Sequence, residues 1–558
     1  MNIDMNLELG LRPRAGSAGT LEPALRALGQ VQEHPAGSVL VQAGRCTGLR
    51  LILEGSADCW PEDDRPRRRL GPGEYLGAHT HLFAEPARAT VLARAGLVTL
   101  ELGPDRLAAA SETEALALDA AIVAGLRTAQ REQAAPVIAL VPGHAGAPTL
   151  ELGQQLARAL TELEPGVHLV VEPRPRPDEQ WRAWLASLRR THRCVVLVCD
   201  EPGLLDELGR WPTTHTCVVV DTARPARART LDSCYGQRCG RVSLALVQPR
   251  SPGPHPGTRQ WLAHFDAVHG HHHVCLDDPR SLARLARILD GRATSLILGA
   301  GGCRGFAHVG VYRALVEAGI ELDFVAGTSI GAVVGGLIAH DWEPDRLEHV
   351  ARKVFAEGSS ILDLGPSPTS LLAGERLAAG FRAAYGEVEI EDLPIPFACT
   401  STDLVEQRAR VHERGRLWKL SKASGSMPGA APPVRVEGAV LVDGGVLNPL
   451  PLELARTRHE GRVLAVNLVP DRPSSRFDAY HEREGVGAWL RARSRVHLGE
   501  VVRRSLQVRA TRDIRARRRG DELWIEPPLE GVGVFEHRRY EEIVERGYRY
   551  TKELLRGC

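Results

Sequence analysis

LDFVAGTSIGAVVGGLIAH, residues 322–340, decides how this chain is read. An apolar run leads into Gly327-Thr328-Ser329-Ile330-Gly331, and small apolar residues follow. Strand, turn and helix in that order form a G-x-S-x-G elbow, where the serine sits on a sharp turn with its hydroxyl out of the sheet. Side chains at Gly327 and Gly331 would collide with the neighbouring strand and helix, and Ala332, Gly335 and Gly336 let that helix come close. The alternative, an ordinary strand-to-helix turn capped by Ser329, is the weaker reading of the three features together. Ser329 is therefore the candidate nucleophile.

A serine nucleophile needs a base. Downstream, GAVLVDGGVLNPLPLELA (438–455) delivers Asp443 from a strand into Gly444-Gly445, which exposes a carboxylate on an open turn. An Asx-turn acid is the plainer alternative. His459, between Arg458 and Glu460, lies on what reads as the end of a surface helix, and His308 precedes the serine. Spacing alone leaves the base open between histidine and aspartate.

Upstream, SLILGAGGCRGFAHVG (295–310) has the look of a nucleotide loop. A dinucleotide site needs Gly-x-Gly-x-x-Gly and an acid after the second strand. With Gly299 and Gly301 in the first two places, Arg304 falls in the third, and the serine elbow stands where the acid belongs. The oxidoreductase reading fails there.

A chain of 558 residues exceeds one hydrophobic core, so two or three domains are expected. Apolar residues at 43% and charged residues at 25% suit a soluble globular protein, and a net charge of +1 gives no general pull toward nucleic acid. Eleven scattered cysteines without paired CxxC motifs read as reduced thiols of a cytoplasmic protein. MNIDMNLELGLRPRAG lacks the features of a signal peptide, and no run of apolar residues is long enough for a membrane span.

Three compositions follow one another. Residues 20–134 hold short apolar runs cut by glycine and proline, such as GSVLVQAG and LRLILEGSADCW, then a helical stretch at 106–133. This spacing predicts a small antiparallel β roll with a closing helix. The roll resembles a cyclic-nucleotide-binding domain. In that family a glutamate follows a glycine to hold the ribose, and an arginine holds the phosphate. Here Ala78 follows Gly77, and Arg88 comes one place late, with Ala87 in the expected slot. One place along a strand turns a side chain to the other face, so cyclic nucleotide is not expected to bind well.

Residues 135–290 alternate strands such as CVVLVCD and TCVVVD with helical stretches, the pattern of a parallel α/β domain. Asp200 and Asp221 end strands there, but no phosphate loop accompanies them. HGHHHVC (269–275) contains His269, His271, His272 and His273. Neighbours on an extended segment face opposite ways, and the spacing is not that of a zinc site. No metal and no cofactor are expected.

Residues 291–558 form the third region, and the motifs above identify it as similar to the patatin-like phospholipases, in the bacterial branch related to neuropathy target esterase. The resemblance runs from residue 242 through RLARILDGRATSLILGAGGCRGFAHVG, the serine elbow, WKLSKASGSMPGAAPPVRVEGAVLVDGG and the tail ELWIEPPLEGVGVFEHRRYEEIVERGYRY. It implies a C-terminal patatin-like α/β hydrolase domain and a Ser329–Asp443 dyad without histidine, making His459 a bystander. It also implies an oxyanion hole on a Gly-Gly-Gly-x-Arg-Gly loop, here Ala300, Gly301, Gly302, Cys303, Arg304 and Gly305. Ala300 stands where relatives have glycine, a departure that matters if the position needs positive φ. Arg304 either fixes the loop or meets a substrate phosphate. Relatives commonly have two asparagines where this chain has Asn448-Pro449-Leu450-Pro451.

The resulting expectation is a serine esterase that hydrolyses phospholipid or lysophospholipid esters to free fatty acid through an acyl-enzyme. The alternative is a catalytically weak regulatory or adaptor protein at a membrane surface. Gly, Pro and Ser stretches with leucines at 355–377 could line or lid an acyl groove. The arginine-rich stretch from Trp489 could rest on anionic lipid, on the inner face of the membrane, against the plainer reading of a solvated surface helix. No nucleic-acid partner is expected.

Overall fold

The computed structural model describes residues 30–102 and 135–556 apart from 43–48, 62–67, 71–74, 77–88, 95–96, 172–183, 186, 190, 200–212, 225–240, 250–252, 266–267, 357–368, 459–460, 469–513, 515–517, 519–521 and 534–535. The chain divides into two compact units, Met1–Pro136 and Val137–Cys558.

In the first unit, the described strands are β1 (Gln30–His34), β2 (Val39–Val41), β3 (Leu49–Glu54), β4 (Ala57–Pro61), β5 (Arg68–Leu70), β6 (Tyr75–Leu76), β7 (Ala89–Ala93) and β8 (Leu97–Leu102). They make two antiparallel four-stranded sheets, ordered β1-β8-β3-β6 and β2-β7-β4-β5. Leu40, Val41, Ile52, Leu76, Val91 and Leu97 form a common core, so the alternation of apolar and polar residues has the inward and outward faces expected of half-buried strands. Gly77, Ala78, Ala87, Arg88 and the stretch 106–133 lie outside the described residues.

The second unit contains two sheets. The first is wholly parallel, built from β9 (Val137–Pro142), β10 (Val167–Val171), β11 (Cys194–Val198), β12 (His215–Asp221), β13 (Arg241–Val247) and β14 (Gly270–Val274), in the order β10-β11-β9-β12-β13-β14. Strands β9 and β11 are continuous apolar runs buried at every position, as a sheet covered on both faces requires. Helix α1 (Thr149–Leu163) lays Leu152, Leu156 and Leu160 on it at four-residue spacing. Helix α2 (Pro279–Leu289) begins at Asp278, whose side chain accepts the Arg280 amide, with Pro279 in the first turn.

The second sheet comprises β15 (Ala293–Leu298), β16 (Phe324–Thr328), β17 (Phe397–Asp403), β18 (Arg408–His412), β19 (Val434–Val436), β20 (Ala439–Asp443), β21 (Gly461–Val466) and β22 (Glu522–Ile525). Its order is β19-β20-β17-β16-β15-β21-β22, with β18 also paired to β17. Strands β15, β16, β17, β21 and β22 run parallel, whereas β20 is antiparallel to β17. Helix α3 (Ala307–Glu317) follows β15 through a 3-10 turn, helix α4 (Ile330–Ile338) follows β16, and helix α5 (Leu417–Ser424) precedes β19. Helix α4, IGAVVGGLI, has no charged residue and is buried from Gly331 to Ile338.

Charged contacts tie the two sheets together. Arg287 of α2 forms a salt bridge to the fully buried Asp323 at 2.7 Å, and Asp323 also accepts the Thr294 amide at 2.8 Å. This anchors the residue before β16. His271 and His273, on one face of β14, each bring Nε2 to the Glu391 carbonyl, at 2.8 and 2.9 Å. Burial lowers both imidazole pKa values, that of His271 to about 4, so the neutral rings donate to this carbonyl at neutral pH. The histidine run thus joins the sheets.

Candidate active site

The elbow owes its shape to two close approaches. A Cβ on Gly327 would lie 2.3 Å from the Gly331 carbonyl, and one on Gly331 would lie 2.2 Å from the Leu298 carbonyl. Between them Ser329 takes φ 57 and ψ −124, a conformation that costs a non-glycine residue roughly 1–3 kcal/mol and persists only where surrounding structure enforces it. Strain of this kind at a serine between strand and helix is what exposes a hydroxyl beyond the sheet.

Register then brings the carboxylate to it. Thr328 pairs with Thr400 on parallel β17, and Ser401 pairs with Asp443 on antiparallel β20. Ser329 and Asp443 therefore flank β17 at one level, although 114 residues separate them. Ser329 Oγ donates to Asp443 Oδ2 at 2.6 Å. Asp443 Oδ1 accepts the Gly445 amide at 2.7 Å, which fixes the carboxylate plane. Both residues are nearly enclosed, with 6% and 5% of their surface exposed. Burial pushes the Asp443 carboxyl up to about 6, while the bonds from Ser329 and Gly445 pull the other way.

The backbone around the pair is also held. The Ser329 amide donates to Ser424 Oγ at 2.9 Å, and Ser424 Oγ donates to the Thr400 carbonyl at 2.6 Å. The Asp443 amide donates to the Ser426 carbonyl at 2.8 Å, and Thr402 Oγ1 donates to the Asp443 carbonyl at 3.1 Å. Thr328 Oγ1 donates to the Asn448 carbonyl at 2.9 Å. Asn448 Nδ2 donates to Glu453.

The glycine loop lies against the elbow, since a Cβ on Gly305 would meet Ile330 Cγ2 at 2.2 Å. A 3-10 turn from Gly302 to Phe306 follows Gly301, and its first amides have no partner within the turn. The amides of Gly301, Gly302 and Cys303 find no acceptor among the described residues, whereas Arg304 sits far enough into the turn for its amide to bond back to Gly301. The amide of Ile330, first in α4, is likewise without an acceptor among the described residues; its place directly after the serine is the signal that could have found it. Arg304 Nε donates to the Val532 carbonyl at 2.8 Å, an anchor for the loop. Cys303 is partly buried, and burial pushes its thiol up to about 12.

The left-handed position in this loop is Gly302, at φ 58; Ala300 is not left-handed. The Ala300 amide is already spent on the Pro449 carbonyl at 2.8 Å. Alanine therefore imposes no backbone penalty at 300, and Ala300→Gly should leave kcat/KM on a p-nitrophenyl ester within about twofold of wild type, with a small loss of thermal stability from the freer unfolded chain. A tenfold gain would show that alanine does impair the loop.

No described histidine bonds to Ser329 or Asp443. His308 is fully buried, and its Nε2 donates to the Gly299 carbonyl at 2.9 Å, which braces the loop from α3. Burial lowers its pKa to about 4, so it is neutral. His459, Asp200 and the stretch from Trp489 to 513 lie outside the described residues. Asp221 accepts the Ala223 amide at the end of β12.

A buried serine hydroxyl on a carboxylate, beside a row of unengaged amides, can attack a carbonyl and stabilise the resulting oxyanion. Residues 296–456, which contain this arrangement, match the family model described as patatin-like phospholipase. The chain is 30% identical over 448 residues to lysophospholipase NTE1 of Mycosarcoma maydis, covering 67% of this chain and 23% of that protein. Identity to lysophospholipase nte1 of Emericella nidulans is 36% over 284 residues, covering 49% of this chain and 19% of the other. A third relative, patatin-like phospholipase domain-containing protein 7 of Rattus norvegicus, is 30% identical over 414 residues, covering 66% and 30%. The chain thus spans between 19% and 30% of the length of these relatives.

Proposed function

We propose that this chain, which carries a patatin-like phospholipase domain, is a serine esterase that releases fatty acid from phospholipid or lysophospholipid through a Ser329–Asp443 dyad. The observation that carries the reading is the 2.6 Å bond from Ser329 Oγ to Asp443 on a strained elbow. In this reading Asp443 takes the hydroxyl proton as Ser329 Oγ attacks the acyl carbonyl. The tetrahedral oxyanion faces the amides of Gly301, Gly302 and Cys303, joined by Ile330. Collapse breaks the ester bond, the leaving alkoxide takes the proton from Asp443, and an acyl-enzyme remains. Water then attacks the acyl carbon, gives its proton to Asp443, and frees the fatty acid as Ser329 recovers its own. Relatives named as lysophospholipases support lysophospholipid as the substrate.

The adaptor reading draws on Ala300 and on the altered nucleotide cassette at Ala78 and Arg88; the ordinary backbone at 300 removes the first support, and the cassette lies outside the described residues. The remaining assignments are part of the same proposal: a bacterial relative of neuropathy target esterase, divided at about residues 134 and 290, whose N-terminal roll is cyclic-nucleotide-binding-like. The site works in the cytoplasm against the inner face of a membrane. Among the described residues no helix is long and apolar enough to cross a membrane.

The test is release of fatty acid from micellar 1-acyl lysophosphatidylcholine and from phosphatidylcholine vesicles by the purified chain, with fluorophosphonate labelling in parallel. Turnover together with labelling is expected; absence of both removes the esterase reading. The pH dependence is also fixed by the base. Asp443 must be ionised to accept a proton, and its pKa stands at about 6. Hence kcat/KM should fall below pH 6 with the slope of one proton and level off above pH 7. An acid limb near pH 4 would mean that the carboxylate is solvated during turnover.

A further inference from the structure

Ser424 ends α5 and is wholly buried. Its hydroxyl lies between two backbone groups, the Ser329 amide at 2.9 Å and the Thr400 carbonyl at 2.6 Å. A hydroxyl has one hydrogen, and a carbonyl only accepts. The hydrogen therefore points at Thr400, and a lone pair is left for the Ser329 N–H. Neither partner can reverse its role. Two residues further on, the Ser426 carbonyl accepts the Asp443 amide at 2.8 Å. One short segment thus bonds to the backbone of both members of the dyad.

We propose that Ser424 is a positioning residue for the hydrolysis described above: its hydroxyl holds the Ser329 backbone in the conformation that aims Oγ at Asp443. The proposal rests on the reading of Ser329 as nucleophile. Backbone at φ 57 and ψ −124 does not persist by itself. The Ser329 carbonyl is tied into the first turn of α4 through the Val333 amide at 3.1 Å. On the N-terminal side of the residue, Ser424 is the group that engages the amide. Without it the residue is pinned at one end only. Because this amide is committed to Ser424, it takes no part in the oxyanion hole, which leaves that work to Ile330 and the glycine loop.

Ser424→Thr and Ser424→Val test the idea, since the two side chains share a shape and differ in the hydroxyl. The threonine variant should turn over at least about tenfold faster than the valine variant at equal KM, both assayed well below their thermal midpoints. Ser424→Ala, which adds no volume, should lower the maximal rate of fluorophosphonate labelling by roughly 100-fold, the scale of a 1 Å misplacement, with initial probe affinity unchanged. Equal turnover in the threonine and valine variants, or labelling of the alanine variant at the wild-type rate, would overturn the positioning role while leaving the nucleophile standing. A wild-type chain that takes no probe would remove the nucleophile and this role with it.

Discussion

Ser329→Ala is expected to abolish fluorophosphonate labelling and to lower fatty-acid release by about 10⁴-fold or more, the scale seen when a hydrolase loses its nucleophile. The residual rate would come from the oxyanion amides and from substrate binding. The variant should fold. Alanine meets the same strain at φ 57 that serine does, and the Ser424 bond to the residue 329 amide is unchanged by loss of the side chain. What changes is Asp443, which loses the hydroxyl that favours its charged form, so its pKa should climb further. A normal thermal midpoint beside a silent active site separates loss of chemistry from loss of structure. His459→Ala should label as wild type does. Labelling that survives in Ser329→Ala would place the reactive serine elsewhere.

Much of this site is legible in the residues because the elbow is a local device. Gly327 and Gly331 are fixed by approaches within a few residues or to the adjoining strand, so the letters carry the shape. The partnership of Ser329 with Asp443 is different. It depends on β17, whose Thr400 and Ser401 set the level of both residues, and nothing in FACTSTD marks it as the ruler between them. Ser424 is hidden for the same reason: a serine at a helix end has no pattern, and its role comes from what folds against it. Ala300 shows the limit of aligning letters to a motif. Substitution of the first glycine raises the question of positive φ, but the chain turns left-handed at Gly302, and dihedrals are not written in composition. The histidine run misleads in another way. Alternation on β14 does separate His272 from His271 and His273, yet only tertiary contact supplies the Glu391 carbonyl that both rings meet. Strand spacing in the first unit is readable because Gly-rich turns punctuate it, whereas the register of its two sheets is a matter of tertiary pairing, which reaches across more than 60 residues between β1 and β8.

Asp443→Asn should separate the catalytic from the structural consequences of the buried carboxylate. The amide oxygen can still accept from Gly445, and the side chain keeps its size, so the turn after β20 should hold. It cannot take a proton from Ser329 at neutral pH. Loss of a positioned base costs 10²–10⁴-fold in typical cases, and with no histidine bonded to Ser329 among the described residues the upper end, roughly 10⁴-fold in kcat, is expected. Stability should move in the opposite direction. The native pKa of Asp443 stands at about 6 against an ordinary value of 3.8. Between those values the folded chain holds a proton that the unfolded chain has released, so wild-type stability falls as pH rises from about 4 to 6 and stays lower above that. The full cost is on the order of 3 kcal/mol at pH 7 to 8. Asparagine carries no such penalty, so Asp443→Asn should melt at a higher temperature than wild type at pH 7.5, and the difference should shrink toward pH 4. A variant both inactive and less stable at pH 7.5 would mean that the carboxylate supports the fold. One inactive and more stable would identify Asp443 as a charge kept in an unfavourable place because the reaction at Ser329 requires it.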